Sequence, residues 1–184
     1  MSAGGFRRGP ARVLYSGRLD VVEFDVTPPD APSDSVAREV VCHPGAVTIV
    51  AFDGEDVRLV RQYRVAADAV VTELPAGKLD PGESPLSCAA RELEEEAGIR
   101  AGRFTELAEY FVSPGWSDEK MWLFLAEEIT VGAARPQGVE ELHMEVVSVA
   151  LSRAVEMVRT GAIHDAKSMV GILMVNDHIE SRRR

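Results

Sequence analysis

Four glutamates fall within five consecutive positions near the middle of the chain: Glu92, Glu94, Glu95 and Glu96. On a helix, residues three and four apart stand above one another, so Glu92, Glu95 and Glu96 would share one face. Like charges placed in this way destabilise a helix by roughly a few tenths of a kcal/mol per pair. A divalent cation reverses that cost, because hard ions such as Mg²⁺ take oxygen ligands, usually carboxylates together with substrate phosphates. The spacing therefore predicts a cation site, with a solvated acidic helix face as the alternative interpretation.

The residues around the glutamates predict a short helix that carries them. Ser84 suits the N-cap, and Pro85 suits the first helical position, where its missing N–H costs nothing. Gly98 stands where a left-handed C-terminal cap is expected. Apolar residues recur at spacings of four, three and four and predict one buried stripe: Leu86, Ala90, Leu93 and Ala97. We expect Leu86 and Leu93 to lie in the core.

The 23 residues from Gly77 to Ile99 fit a longer pattern, Gly-x5-Glu-x7-Arg-Glu-U-x-Glu-Glu-x-Gly-U, in which U is bulky and aliphatic. Every fixed position is matched, by Gly77, Glu83, Arg91, Glu92, Leu93, Glu95, Glu96, Gly98 and Ile99. The stretch resembles the Nudix box, the signature of hydrolases that act on a nucleoside diphosphate linked to another group. The resemblance implies an α/β/α sandwich with a mixed β-sheet.

The same resemblance implies a site for Mg²⁺, with Mn²⁺ as the alternative. Two or more ions would be held by the Ala76 carbonyl, Glu92, Glu95 and Glu96. We group Glu95 and Arg91 with the catalytic residues, Arg91 as the ion-pair partner that orients the glutamates. Glu83 would contribute to the metal site or fix the loop. Gly77 and Gly82 suit close backbone approach and unusual dihedral angles.

Two flanking segments narrow the predicted substrate. Glu-Leu-Pro-Ala-Gly at 73–77 leads into the box, and Ser-Pro-Gly-Trp-Ser-Asp-Glu follows it at 113–119. Pro114 within such a loop, 16 residues after Gly98, resembles the ADP-ribose pyrophosphatase subgroup, although a plain proline turn is the alternative. The resemblance implies substrate contacts from Glu73, Ser113, Gly115 and Glu119.

Three further residues resemble substrate-binding positions of that subgroup. Arg64 resembles the arginine that meets the substrate phosphates, and its planar fork suits bidentate phosphate binding. A solvated arginine on an edge strand is the alternative. Arg18 and Leu19 resemble the N-terminal segment that reaches across a dimer to the adenine. Some relatives stack the base on an aromatic side chain there, whereas this chain offers Leu19 and nearby Phe24.

In relatives of this subgroup, the general base is a glutamate on a mobile loop late in the chain. Glu140 aligns best with that position, and Glu141 is the alternative. Loop closure would bring the base to the attacking water and exclude bulk solvent. Both residues being ordinary acidic loop residues is the competing interpretation.

Charge and composition exclude several other classes. A net charge of −10 argues against broad binding of nucleic acids or anionic membranes. No apolar run approaches the roughly 20 residues that a membrane-spanning helix needs, and the N-terminus lacks a signal-peptide core. Two cysteines, Cys42 and Cys88, favour a reduced cytoplasmic protein. The four histidines are scattered, so we expect no zinc site.

The chain is expected to divide into a flexible N-terminus at 1–11, a small antiparallel sheet for dimerisation at 12–44, and a Nudix hydrolase domain at 45–184. Asp53-Gly54 predicts a hairpin between strands at 46–52 and 57–62. Asp165 is expected to cap a final helix whose inward residues are Val170, Leu173 and Met174.

The predicted function is hydrolysis of ADP-ribose to AMP and ribose 5-phosphate by a homodimer. The alternative within the enzyme class is another nucleoside diphosphate sugar, such as GDP-mannose. The alternative from another class is a Nudix module that senses a nucleotide without cleaving it. The intact box and the charge of −10 argue against that module, since such regulators usually carry a DNA-binding segment or a degraded box.

Overall fold

The computed structural model describes residues 3–134 and 141–183. The strands are β1 (Arg7–Arg8), β2 (Arg12–Tyr15), β3 (Asp20–Thr27), β4 (Val36–Cys42), β5 (Ala46–Ala51), β6 (Asp56–Arg64), β7 (Ala69–Glu73), β8 (Ala76–Lys78), β9 (Ile99–Phe111), β10 (Lys120–Val131) and β11 (Glu145–Ala150). The helices are α1 (Pro85–Ala97), α2 (Leu151–Arg159) and α3 (Ala166–Arg182), with 3₁₀ turns at Ala3–Gly5 and Glu141–His143. None of the described helices is long and apolar enough to cross a membrane.

The chain forms two compact units. The first comprises Met1–Gly45 and Phe111–Lys120. It contains an antiparallel sheet in the order β1-β3-β2, with β4 also paired to β3. The small N-terminal sheet predicted from the sequence is therefore present.

The second unit comprises Ala46–Tyr110 and Met121–Arg184. One of its sheets has the order β8-β5-β10-β9, in which β5 runs parallel to β10 and antiparallel to β8. A three-stranded antiparallel sheet has the order β11-β6-β7. The mixed sheet predicted from the sequence is confirmed.

The two faces of β5 explain the layers of this unit, because every residue of the strand is buried. Val47 and Ile49 join one apolar cluster with Leu93 of α1. Val50 joins a second cluster with residues of α2 and α3, among them Ile172. Successive side chains of a strand point to opposite faces, so β5 is covered by α1 on one face and by α2 and α3 on the other. This is the predicted α/β/α sandwich.

The predicted hairpin at Asp53-Gly54 is wrong. A tight turn does form there, with Gly54 at φ 107° and the Asp53 carboxylate accepting from the amides of Glu55 and Asp56. However, β5 and β6 belong to different sheets and are joined by the single bridge Phe52–Val57. The reason is that β8 and β10 already occupy both edges of β5, so β6 has no edge to pair with.

The caps of α1 are confirmed, but its buried stripe differs from the prediction. Ser84 accepts from the Ser87 amide, and Gly98 adopts φ 65°. Leu93 is fully buried, whereas Leu86 is 51% exposed and the core prediction for it is wrong. The inward residues are Cys88, Ala89, Leu93, Glu96 and Ala97. The stripe is rotated because Glu96 turns inward, where its carboxylate accepts from a backbone amide.

The inward face of α3 is also displaced by about one residue. Asp165 caps the helix as predicted, accepting from the Ser168 amide. Leu173 and Met174 are exposed, so their predicted burial is wrong, and Val170 is half-buried. The buried residues are Ser168, Gly171, Ile172, Val175 and Ile179. Gly171 explains the displacement, because a Cβ there would crowd Leu74, Leu123 and Val50, so the helix approaches the sheet through its glycine.

Candidate active site

The box glutamates stand against the backbone of β8. A Cβ added to Gly77 would overlap the carboxylate of Glu92, so only glycine leaves room for that side chain. Glu96 is 6% exposed, and its Oε2 accepts from the Ala76 amide at 3.0 Å. The close approach predicted for Gly77 is therefore present, and it brings two carboxylates to one short stretch of strand.

Arg91 holds three carboxylates with one guanidinium. Its Nε and Nη2 donate to the two oxygens of Glu83 at 2.9 and 2.8 Å. Its Nη1 donates to Glu92 Oε1 at 2.8 Å and to Glu95 Oε2 at 3.1 Å. Its Nη2 also reaches the Lys78 carbonyl at 3.2 Å. The ion pairs expected for Arg91 are therefore present, while its place among the catalytic residues stays a prediction.

These contacts set the charge of the cluster. The hydrogen bonds from Arg91 are the main reason that the pKa of Glu83 is lowered to about 2. The hydrogen bond with Glu83 in turn raises the pKa of Arg91. One guanidinium and three carboxylates leave a formal surplus of two negative charges on these four side chains. Beneath them, burial is the main cause that raises the pKa of Cys88 to about 12, so this thiol stays neutral.

The chemistry of this donor set fits a hard divalent cation. Carboxylate and carbonyl oxygens are the ligands that Mg²⁺ prefers, and the surplus negative charge attracts a cation. Among residues 3–134 and 141–183, no three Asp, Glu, His or Cys side chains converge in ligand geometry. Instead, Arg91 holds oxygens of Glu92 and Glu95, while the Ala76 amide holds an oxygen of Glu96. A bound cation would therefore share these carboxylates with their present donors.

Arg64 lies at the end of β6 and pairs with Glu73 at the end of β7. Its Nε and Nη2 donate to the two oxygens of Glu73 at 2.7 and 2.8 Å. The Arg64 side chain is 43% exposed, whereas that of Glu73 is 2% exposed. This buried partner argues against a merely solvated arginine. The predicted substrate contact by Glu73 itself stays a prediction, since its enclosed carboxylate fits a role behind Arg64.

The N-terminus of α3 completes this second cluster, and apart from the Asp165 cap no residue pattern predicts a role for it. Lys167 Nζ contacts Glu73 Oε2 and lies 3.0 Å from Asp165 Oδ2. The pKa of Glu73 is lowered: burial alone would raise it, but hydrogen bonds from Arg64 and the charge of Lys167 outweigh burial. Glu73 and Lys167 are 94 residues apart in sequence, so local spacing carries no signal for their contact.

The first unit contains the predicted adenine-binding residues. Arg18 is exposed and Leu19 is half-buried. Both line a cavity of about 330 Å³, together with Gly17, Asp20, Cys42, His43 and Pro44. Phe24 lies under the guanidinium of Arg8, whose Cζ is 4.3 Å from the ring centroid. The roles of Arg18 and Leu19 stay predictions.

The loop from Ser113 to Glu119 is an ordered turn of the same unit. The Ser113 carbonyl accepts from the amides of Trp116 and Ser117, and the Trp116 carbonyl accepts from the amide of Val41 in β4. Glu119 Oε1 lies 4.0 Å from Nε2 of His43. A Cβ at Gly115 would meet open space. The substrate contacts assigned to Ser113, Gly115 and Glu119 stay predictions.

The predicted base falls at the edge of what the structure describes. Glu140 lies outside the described residues. Glu141 is the first residue of a 3₁₀ turn, and its side chain also lies outside what the structure describes. The assignment of either residue as the base stays a prediction.

Comparison with known proteins decides the family. The NUDIX domain matches residues 43–169, more than half of the chain. The chain belongs to the NUDIX family. The ADP-ribose pyrophosphatase of Bacillus subtilis (strain 168) is 37% identical over 161 residues, 86% of each chain. The GDP-mannose pyrophosphatase of Enterobacter sp. (strain 638) is 32% identical over 158 residues, 81% of this chain and 82% of the relative.

A solved structure agrees with the NUDIX fold. The crystal structure of an ADP compounds hydrolase superposes with a TM-score of 0.85 and covers 99% of this chain and 98% of that one. At 21% identity, this likeness shows the fold alone. The family predicted from the box and the predicted fold class are both confirmed.

Proposed function

We propose that this NUDIX protein is a metal-dependent hydrolase that cleaves ADP-ribose to AMP and ribose 5-phosphate. The observation that carries the proposal is the cluster of Glu83, Glu92 and Glu95 on Arg91, set against the glycine backbone of β8. Its surplus negative charge supports a divalent cation, and a diphosphate is the substrate group that such a cation binds. The identity to an ADP-ribose pyrophosphatase supports the choice of substrate.

In this proposal, each cluster has its own task. Glu92, Glu95, Glu96 and the Ala76 carbonyl hold Mg²⁺ or Mn²⁺, as two or more ions. When bound, divalent cations neutralise charge on the phosphoryl oxygens and make a water molecule more acidic. Arg91 keeps the glutamates in place, and Arg64 meets the diphosphate with a guanidinium that Glu73 anchors. Glu140, or alternatively Glu141, takes the proton from the attacking water.

The remaining assignments belong to the same proposal. Ser113, Gly115 and Glu119 contact the substrate, while Arg18 and Leu19 contact the adenine of a homodimer assembled through the sheet at 12–44. The hydrolase domain spans 45–184, and the protein works in the cytoplasm on a small-molecule nucleoside diphosphate sugar.

The test is release of AMP from ADP-ribose, measured with Mg²⁺, with Mn²⁺ and with a chelator. We expect activity with either metal and none with the chelator. Glu95→Gln should lose most of the activity because its carboxylate belongs to the cluster. Glu94→Gln is the matched control, since Glu94 is on the same helix but pairs with Arg100. Equal loss in the two variants would contradict the proposed site.

GDP-mannose hydrolysis is the second candidate, because a GDP-mannose pyrophosphatase is also a relative of this chain. Values of kcat/KM measured side by side on ADP-ribose and GDP-mannose separate the two. A higher value on GDP-mannose would replace the proposed substrate while leaving the reaction class intact. Tight binding of ADP-ribose without release of AMP would instead favour the nucleotide-sensing alternative.

A further inference from the structure

Two residues in the first turn of α3 contact the end of β7 and the residue that follows it. This segment leads into the box. Lys167 contacts the carboxylate of Glu73, the last residue of β7. One residue further, Ser168 accepts from the amide of Leu74 at 2.7 Å and donates to Asp165 at 2.5 Å. Both side chains are well covered, Lys167 being 13% exposed and Ser168 fully buried. Two adjacent residues of one helix therefore hold two adjacent residues of one strand end.

The contact with Glu73 is placed to control Arg64. Glu73 Oε2 accepts from Lys167 and from Nη2 of Arg64, while Oε1 accepts from Nε of Arg64. A bidentate, charge-assisted pair fixes the plane of the guanidinium as well as its distance. Lys167 holds the oxygen that one of the two Arg64 bonds uses. A change in Lys167 would therefore reach Arg64 through a shared carboxylate.

The charges support a role in positioning. Asp165 balances Lys167 on the helix side, at 3.0 Å, so two cations face two carboxylates in this cluster. Such a neutral set carries no surplus charge that calls for a ligand of its own. Meanwhile the Arg64 side chain keeps 43% of its surface exposed. The guanidinium is thus anchored on one edge and accessible elsewhere.

We propose that Lys167 is a positioning residue for substrate binding, acting through Glu73 to orient the Arg64 guanidinium toward a substrate phosphate. Ser168 and Asp165 support it by fixing Leu74, which leads into Pro75 and Ala76 of the metal site. The inference rests on the proposed function only in taking Arg64 as the phosphate-binding residue. It adds to the site a helix that the box and its flanking segments do not include.

Lys167→Met tests this role through the split between KM and kcat. We expect KM to rise about tenfold with kcat changed less than about threefold, because phosphate binding weakens equally before and in the transition state. Arg153→Met is the matched control, since it removes a cation from an exposed ion pair with Glu156 on α2. It should leave both constants unchanged. An unaltered KM in Lys167→Met would overturn the proposal.

A double-variant cycle separates positioning from general structural support. In an Arg64→Ala background, Lys167→Met should change KM less than about twofold, because no guanidinium remains to be oriented. Independent effects that multiply would show that Lys167 does not act through Arg64. Lys167→Met leaves Glu73 buried beside one cation. If that variant fails to fold for this reason, the double variant Glu73→Gln/Lys167→Met removes both charges. That double variant should show the same raised KM, and a normal KM would overturn the proposal.

Calorimetry measures the binding of ADP in the presence of Mg²⁺, so it tests the role of Lys167 without depending on hydrolysis. If the wild-type protein binds ADP but releases no AMP from ADP-ribose, the proposed function fails while the role of Lys167 is still measured. The dissociation constant for ADP should then rise about tenfold in Lys167→Met and not in Arg153→Met. Equal dissociation constants in these two variants would overturn the positioning role.

Discussion

The second unit contains two ion-pair clusters with opposite balances. Around Arg91, one guanidinium serves the three carboxylates of Glu83, Glu92 and Glu95. Around Glu73, Arg64 and Lys167 share one carboxylate, and Asp165 restores neutrality. By formal charge, the Arg91 cluster has a surplus of two carboxylates, whereas the cluster around Glu73 is neutral. A cluster with surplus charge recruits a ligand, and a balanced one holds a side chain in place.

The carboxylates of the two clusters also differ in how far they are buried. The side chain of Glu73 is 2% exposed, while those of Glu92 and Glu95 are 13% and 20% exposed. Burying a charge is costly unless it is paired and hydrogen-bonded, and the Glu73 cluster meets that condition. The more open carboxylates around Arg91 remain reachable by a cation. This difference is consistent with the proposed function, in which the carboxylates beside Arg91 hold the metal and Glu73 anchors Arg64.

The largest expected effect lies outside both clusters. In the proposed function, Glu140 of the loop before β11 takes the proton from the attacking water. Glu140→Gln should lower kcat by roughly 10²–10⁴-fold, the usual scale for a positioned acid or base. Steady-state rates at saturating Mg²⁺ measure this, with Glu141→Gln as the paired variant. A loss below threefold in Glu140→Gln with a full loss in Glu141→Gln would move the base by one residue.

Arg91→Lys tests the Arg91 cluster. Lysine keeps the charge but loses the fork that reaches Glu83, Glu92 and Glu95 together. We expect the Mg²⁺ concentration for half-maximal activity to rise roughly 10–100-fold, the range seen when partners of metal ligands are changed. Arg100→Lys on the exposed pair with Glu94 is the control. An unchanged Mg²⁺ requirement in Arg91→Lys would show that the carboxylates do not depend on their guanidinium.

The contrast between the clusters also explains what the sequence could reveal. The Arg91 cluster lies on one helix and the loop before it, so fixed spacing places its members, and the ion pairs expected for Arg91 are present. The caps Ser84 and Gly98 follow from local chemistry in the same way. The Glu73 cluster joins residues 94 positions apart. No spacing rule connects Lys167 to Glu73, and only the packing of α3 brings them together.

Wrong predictions of burial have a related cause. The sequence predicts that Leu86 lies in the core and that Leu173 faces inward, yet both are exposed. On α1, Glu96 takes an inward place. On α3, the close approach at Gly171 decides which face packs. Periodicity finds that a helix is amphipathic, but a polar anchor or a glycine contact fixes its rotation.

Mg²⁺ should stabilise the fold through its proposed ligands beside Arg91 and not through the Glu73 cluster. A ligand at about 100 times its dissociation constant adds about 2.7 kcal/mol to the free energy of unfolding. For a chain of this size, that corresponds to a rise in Tm of about 5–10 °C. Thermal unfolding with and without Mg²⁺ should show the rise in wild type and in Lys167→Met, but little of it in Glu92→Gln. Loss of the shift in Lys167→Met would tie both clusters to the cation and break the contrast.

The smallest expected effect is on the pH dependence of stability, which tests the Glu73 cluster. The pKa of Glu73 is lowered in the folded protein, by Arg64 and Lys167 acting against burial. A carboxylate with a lowered folded pKa contributes stability that is present above its unfolded pKa and lost as pH falls through the folded value. Between these two values, the free energy of unfolding should fall with decreasing pH by up to about 1.4 kcal/mol per unit more in wild type than in Glu73→Gln.

Urea unfolding of both proteins from pH 6 to pH 3 measures that difference. Other carboxylates, including Glu83 with its pKa of about 2, titrate in both proteins and cancel in the comparison. The two curves should converge only below the usual range of a glutamate, because the wild-type advantage disappears once Glu73 is protonated. Curves that stay parallel throughout would mean that the pair with Arg64 does not stabilise the ionised form of Glu73. The Glu73 cluster would then not act as an anchor for Arg64.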